Sequence, residues 1–270
     1  MNKQIKMTLK DTATYHLYVL ISKQINEFLN TIGMIGKQLY ISLLYIIKMQ
    51  INIKQVVVQA SRFGFDSLPI TIAIVSMTTV IISMQVAPEM VKQGGENYVG
   101  MLIAMVMVRE LADIMAGFAI ISMIGSAFAS EVATMKVTEQ IDAMKSLKVD
   151  PIKYLFVPRL LAGFIMMPFV VIIDSFVGLV FGGITATSLA SISMLNYIES
   201  IWHGLVVKDI FIALLKASVF GFAIVLVSLS CGLNASGGAK GVGIATTRAV
   251  VWSFITITII DYIFALIFYF

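Results

Sequence analysis

The chain has 270 residues, of which 59% are hydrophobic and 13% are charged, and its net charge is +4. A soluble domain carries roughly a quarter charged residues, so this composition excludes an ordinary soluble protein. Several apolar runs reach the roughly 20 residues that cross a bilayer core as a helix, and the alternating polarity of a membrane β-barrel is missing. We therefore predict an all-α integral membrane protein.

The N-terminal region, residues 1–62, is amphipathic rather than uniformly apolar, and it holds eight of the 19 basic residues. Lysines that face headgroups while Leu and Ile face acyl chains are typical of interfacial helices, which we predict here. Residues 32–47 are more apolar, and a half-inserted helix there is the alternative. The N-terminus lacks the pattern of a signal or transit peptide, so we expect the chain to be mature from its start.

The remainder, residues 63–270, is predicted to cross the membrane five times. Lys and Arg are concentrated in residues 131–159 and recur in residues 234–249, whereas the other two connections have one lysine each. The positive-inside rule then places the N-terminus and both basic connections on the cytoplasmic or stromal side, and the C-terminus on the far side. The predicted spans are residues 67–86, 98–130, 155–184, 210–233 and 250–270.

Six charged residues lie well inside these spans, and Arg159 lies at the edge of the third. Such groups are costly at membrane depth and mark either function or tight pairing. Arg109 and Asp113 are spaced i, i+4, so we expect them to pair on one helical face, with Glu110 turned about 100° away toward a cavity. Pairing between Lys216 and one aspartate is the structural explanation for the others, and the GxxxG motif at 178–182 favours close helix packing. The six are Arg109, Glu110, Asp113, Asp174, Lys216 and Asp261.

The stretch EVATMKVTEQIDAMKSLKVDP, residues 131–151, is polar among these apolar spans. Thr138 is a good N-cap, and acidic residues follow it while lysines come last, as the helix dipole prefers. About ten residues make only about 15 Å of helix, which is half a hydrocarbon core. We predict a short surface helix on the cytoplasmic face, either a plain connector or a contact site. Its apolar stripe is Val137, Ile141, Met144 and Leu147.

Several motifs resemble the MlaE-type permeases of ABC transporters, which include bacterial phospholipid transporters and the trigalactosyldiacylglycerol permease of plant plastids. The resemblance begins after about Arg62 and makes residues 63–270 a permease domain. Two positions depart from the pattern: Ser122-Met123 replaces the usual Gly-Arg pair, and Lys148 stands where many ABC permeases have glycine. The motifs are VRELADIMAG at 108–117, GSAFASEVATMKVTEQIDAM at 125–144, VDPIKYLFVPRLLAG at 149–163 and GVGIATTRAVVWS at 241–253.

The resemblance implies a lipid-transporting permease subunit that is not itself an enzyme. It also implies a separate ABC ATPase that binds ATP and Mg²⁺, an MCE-type lipid-binding partner and a homodimer. The stretch at 131–151 then becomes a coupling helix, with an ATPase contact at Glu139, Gln140, Asp142, Lys145 and Lys148. The implied lipid cavity would be lined by Arg62, Arg109, Glu110 and Asp113.

This chain lacks the G-x-x-x-x-G-K-[ST] loop that cradles nucleotide phosphates, because GGAKGVGIATTR, with Lys240 and Arg248, fits a flexible cytoplasmic loop. One cysteine and two distant histidines, His16 and His203, favour neither a disulfide nor a metal site, and nothing suggests nucleic acid. An ion- or proton-coupled transporter using the intramembrane carboxylates is the alternative function. The bias toward Ile, Lys and Asn favours a plastid inner envelope or a bacterial inner membrane.

Overall fold

The computed structural model describes the backbone of residues 2–269 and the side chains of residues 17–19, 22, 26 and 29–269. His16 and the first four lysines therefore lie outside the described side chains. Across the described backbone the chain is helical and forms no strand, which confirms the all-α prediction. The helices are α1 (Asn2–Ile47), α2 (Ile53–Gly64), α3 (Leu68–Lys92), α4 (Glu96–Val137), α5 (Gln140–Ser146), α6 (Ile152–Ala190), α7 (Met194–Gly204), α8 (Val207–Leu233) and α9 (Gly238–Phe268).

Five helical stretches within the described chain are long and apolar enough to cross a membrane, as predicted. They are α2 with α3, then α4, α6, α8 and α9. Helix α8 lies at the centre, because 61% of its apolar 18-residue stretch is buried, and it packs against α4, α6 and α9. Only 11% of the apolar 18-residue stretch of α9 is buried, so α9 lies at the edge of the single chain.

The connections are shorter than the sequence pattern predicted. The predicted flexible loop at 234–249 is wrong, because α9 already begins at Gly238, and Lys240 and Arg248 lie on its first turns. Gly237 and Gly238 have φ of +90° and +66°, a backbone conformation that glycine adopts without strain, and they turn the chain into the helix. The predicted loop at 185–209 likewise contains helix α7, which has 11 residues.

The GxxxG motif packs within the chain. A Cβ atom on Gly178 would lie 2.8 Å from the Thr79 hydroxyl, and one on Gly182 would lie 2.8 Å from the Thr79 methyl group. The two glycines therefore allow α6 to approach α3 closely. The predicted close helix packing is therefore present within the chain, where α3 occupies the face of the motif.

The N-terminal region consists of one long helix, α1, followed by α2. In α1 the buried positions include the polar residues Gln38 and Ser42, whereas Leu44 and Ile47 are exposed. This arrangement does not confirm the predicted amphipathic character of residues 1–62. The placement of this region in the membrane interface stays a prediction.

Candidate functional site

Lys216 is the centre of a buried cluster of carboxylates between α4, α8 and α9. Its Nζ lies 3.1 Å from Glu110 Oε2, 3.4 Å from Asp113 Oδ2 and 2.9 Å from Asp261 Oδ1. It also donates to the backbone carbonyl of Arg109. Lys216 and Asp113 are almost fully buried, so one cation holds three helices together. The predicted pairing of Lys216 with an aspartate is confirmed, and two further carboxylates join it.

Arg109 pairs with a residue that the sequence pattern did not suggest. Its Nη2 lies 3.0 Å from Asp209 Oδ2, and its guanidinium lies 5.1 Å from the centre of the Tyr269 ring. The expected pair between Arg109 and Asp113 is wrong. Each residue instead has a partner on α8, because Arg109 pairs with Asp209 and Asp113 lies at Lys216. Asp209 went unnoticed because it lies at the beginning of α8.

A second charged cluster lies near the other end of α4. Glu131 accepts from two arginines, through Oε2 from Arg62 Nη1 at 3.1 Å and through Oε1 from Arg159 Nη2. Both guanidinium groups also lie against the ring of Phe128, at 5.8 Å and 5.1 Å. Arg159 is 4% exposed. Arg62 therefore belongs to this cluster, and the structure does not bring it together with Arg109.

The two clusters lie at different membrane levels. The 22 positions between Arg109 and Glu131 correspond to about 33 Å of helix. This length matches the hydrocarbon core of a bilayer, which is about 30 Å thick. If the basic connection at 131–159 faces the cytoplasm, the Glu131 cluster lies at the cytoplasmic level and the Lys216 cluster near the opposite one.

The short surface helix between the second and third spans is present as α5, but its beginning differs from the prediction. Thr138 is not an N-cap, because its hydroxyl donates to the carbonyl of Thr134 and completes the end of α4. Glu139 turns the corner with φ of +61°. The apolar stripe is divided between interior and surface, since Ile141 is fully buried and Leu147 is 77% exposed.

The five predicted contact residues of this segment, Glu139, Gln140, Asp142, Lys145 and Lys148, are all exposed. Asp142 accepts from Lys145 and Lys136 at 3.0 Å each, and these hydrogen bonds lower the pKa of its carboxyl below the ordinary value. Lys148, at the position where many ABC permeases have glycine, has φ of +58°. A non-glycine residue there is strained by roughly 1 kcal/mol. Leu147, one of the residues of the predicted apolar stripe, is exposed among these residues.

Three other predicted positions lie apart from both clusters. Asp174 is fully buried and accepts from the Thr71 hydroxyl at 3.1 Å, with no cation within salt-bridge distance in the described chain. Arg248 borders a cavity of about 180 Å³ that also contains Cys231 and Trp252. Met123, at the position of the missing arginine, is 37% exposed on the surface of the chain.

Comparison with known proteins gives the chain its family. The family described as Permease MlaE matches residues 56–267. A probable ABC transporter permease protein of Synechocystis is 36% identical, over 81% of this chain and 83% of that protein. A probable ABC transporter permease protein of Pyropia yezoensis is 32% identical over 92% of each chain. TRIGALACTOSYLDIACYLGLYCEROL 1, a chloroplastic protein of Arabidopsis thaliana, is 33% identical over 84% of this chain and 65% of that protein.

The matched region begins in α2 and ends in α9, so it includes the five apolar stretches, both charged clusters and α5. The relatives named ABC transporter permease match over nearly the same extent. The chain is thus a multi-pass integral membrane protein, and it belongs to the MlaE family of ABC transporter permeases.

Proposed function

We propose that this permease transports lipids and that a separate ATPase subunit drives it through residues 138–151. The observation that carries the proposal is the exposed segment around α5, which joins two spans without entering the membrane. Its charged side chains point outward, and Leu147 adds an exposed apolar anchor among them. Such a mixed surface suits a partner protein better than a lipid surface does, because apolar anchors surrounded by polar contacts dominate protein interfaces.

Helix α4 connects this segment directly to both charged clusters. Helix α5 is held to the body by the buried Ile141, and it follows α4 after a single tight turn. Helix α4 carries the Glu131 cluster near one end and the π-helical turn at 107–111 beyond it. A displacement of α5 by the ATPase would therefore be transmitted along α4 toward Arg109 and Glu110.

The ATPase contact is tested by co-purification and by lipid-stimulated ATP hydrolysis with the ATPase of the same complex. Leu147→Ser and the pair Glu139→Lys with Asp142→Lys should each reduce the amount of co-purified ATPase at least fivefold. Leu195→Ser is the matched control, because Leu195 is 65% exposed on α7, on the other side of the membrane by the predicted topology. Unchanged ATPase binding and unchanged transport in all Leu147, Glu139 and Asp142 variants would contradict the proposal.

The ion pair of Arg109 with Asp209 and the name of the Arabidopsis relative both support a lipid substrate. Arg109 is 29% exposed in its side chain although Asp209 is nearly buried, so the guanidinium can contact an anionic or hydroxylated headgroup. Arg109→Ala should reduce bound phospholipid severalfold in native mass spectrometry. Lys92→Ala, a change at an exposed lysine outside both clusters, serves as the control. Undiminished lipid in Arg109→Ala would count against Arg109 as a contact for the lipid.

The alternative, an ion- or proton-coupled transporter, needs a connected series of carboxylates. Glu110, Asp113 and Asp261 share Lys216, but the carboxylate of Asp174 contacts Thr71 and none of the other three. The three carboxylates around Lys216 form one compact cluster rather than a series that extends across the membrane. Transport that stops when ion gradients are collapsed, with ATP still present, would favour this alternative.

The assembly that we propose is a homodimer with two ATPases and an MCE-type lipid-binding partner, in a plastid inner envelope or a bacterial inner membrane. The exposed apolar residues along α9, such as Val251, Ile255 and Ile259, leave room for a second copy at this edge of the chain. Two copies would supply ten spans. Cysteine pairs introduced on α9 should cross-link between copies if this edge forms the dimer.

A further inference from the structure

Arg159 has more hydrogen-bonding capacity than its surroundings satisfy. Its Nη2 donates to Glu131, but Nε and Nη1 are buried and have no partner among the described residues. Because Arg62 shares the same carboxylate, the cluster has two cations and one anion. Buried charged donors in proteins are normally paired, so an unbalanced arginine that is 96% buried points to a missing anion.

The space for such an anion lies beside Arg159. A cavity of about 220 Å³ is bordered by Arg159 and Tyr154 of α6, by Glu131 of α4, and by Gln55 and Gln59 of α2. One water occupies about 30 Å³ of liquid, so the cavity has room for a phosphate-sized group.

A second, apolar groove lies deeper on the same side of α6, where α6 faces the junction of α2 and α3. It encloses about 280 Å³ and is lined by apolar residues that include Phe65, Leu68, Met166, Phe169 and Ile173. On α6, Arg159, Met166 and Ile173 recur every seven residues and so lie on one face. At 1.5 Å per residue the groove runs from about 10 Å to about 21 Å deeper than Arg159. The groove therefore spans about 11 Å near the bilayer midplane, where it can receive the end of an acyl chain whose headgroup lies at Arg159, because one leaflet is about 15 Å thick in its hydrocarbon part.

We propose that this side of α6 binds one anionic phospholipid of the cytoplasmic leaflet. The phosphate would occupy the cavity and accept from Arg159, with Arg62 and Gln59 beside it, and the end of one acyl chain would lie in the apolar groove. The net charge of the protein cluster, +1, matches a headgroup whose only charge is its phosphate. The site is about 33 Å from Arg109, so it is separate from the proposed transport cavity and does not depend on transport.

The test uses the purified full-length protein in detergent, with phosphatidylglycerol, phosphatidylcholine or inorganic phosphate added, and measures retained lipid by native mass spectrometry and the thermal midpoint. Phosphatidylglycerol should be retained and should raise the midpoint by several degrees, and phosphatidylcholine should not. The double variant Arg62→Gln with Arg159→Gln should retain at least tenfold less phosphatidylglycerol. If it does not fold, Arg62→Gln, whose side chain is 44% exposed, carries the test alone.

Lys54→Gln is the matched control, because it removes one positive charge from the exposed side of α2 and leaves the cavity intact. It should retain the lipid as the parent does. Equal loss in Lys54→Gln would show general surface attraction and would overturn the proposal. Equal stabilisation by inorganic phosphate, or equal retention of phosphatidylcholine, would overturn the assignment to an anionic lipid. Loss of this lipid in Arg62→Gln but not in Arg109→Ala would separate the two sites.

Discussion

The two charged clusters on α4 use the same kinds of side chain with opposite imbalance. Around Lys216 and Arg109 there are four carboxylates for two cations, and around Glu131 there are two cations for one carboxylate. The first joins three spanning helices through a lysine that is 1% exposed, whereas the second lies at the seam of α2 and α6 with a half-exposed arginine. Lys216 and Asp113, at the centre of the carboxylate-rich cluster, are enclosed by protein, whereas Arg159 of the arginine-rich cluster borders a cavity.

The difference indicates two kinds of polar cluster in the membrane. A lysine surrounded by carboxylates is held by its own chain and fixes the helices relative to one another. An arginine with unused donors beside a cavity depends on a molecule from outside. Variants that change the balance of each cluster should therefore respond differently to lipid.

The largest effect is expected for Lys216→Met. It leaves Glu110, Asp113 and Asp261 without their common cation, and breaking a buried pair in this way destabilises by about 3–5 kcal/mol. Folded yield in detergent and the thermal midpoint should both fall sharply. Adding Asp113→Asn to Lys216→Met should recover part of the loss. A Lys216→Met protein as stable as the parent would mean that the cluster does not hold the helices.

Glu131→Gln should have the next largest effect, about 1–3 kcal/mol, because it leaves the buried Arg159 without its carboxylate. This variant sharpens the comparison, since phosphatidylglycerol should restore much of its thermal midpoint by supplying the lost negative charge. The same lipid should not rescue Lys216→Met. Glu139→Gln, at an exposed carboxylate just beyond the end of α4, is the control and should change stability little. Equal rescue of both cluster variants would remove the distinction.

A smaller effect, about 0.5–1.5 kcal/mol, is expected for Asp209→Asn. Arg109 would lose its charged partner but would keep partial exposure to solvent and its contact with the Tyr269 ring. Chemical or thermal unfolding in detergent measures the change. A loss as large as that of Lys216→Met would show that Arg109 and Asp209 belong energetically to the Lys216 cluster.

The smallest effect is expected at Asp174, the buried carboxylate that belongs to neither cluster. Asp174→Asn keeps an oxygen to accept from the Thr71 hydroxyl and removes a buried charge, so stability should change by less than about 0.5 kcal/mol. Thr71→Val removes that donor and should destabilise by about 1 kcal/mol. A marked destabilisation by Asp174→Asn would reveal an unrecognised cation partner at this position.

The sequence predicted the parts of the fold that depend on local composition. Apolar runs of membrane-spanning length identified the five spans, and the polar run at 131–151 identified the short helix between two of them. Local spacing was less reliable for charge pairing and for helix ends. The expected pairing of Arg109 with Asp113 failed because Asp209 and Lys216 of α8 supply closer partners, which spacing within α4 does not reveal. The expected N-cap at Thr138 failed because the preceding helix continued through it.

By itself, the sequence determined the helical membrane class, the number of apolar spans and, through its motifs, the resemblance to the MlaE permeases. These features depend on hydrophobicity and on residues close together in the chain. Only the tertiary structure decided which charges meet, because Lys216 and Asp261, or Arg62 and Arg159, are brought together by helix packing across long separations. It also decided that the GxxxG face is used inside the chain, that Leu147 is exposed and that Arg159 borders a cavity. Each of these depends on which side of a helix its neighbours cover.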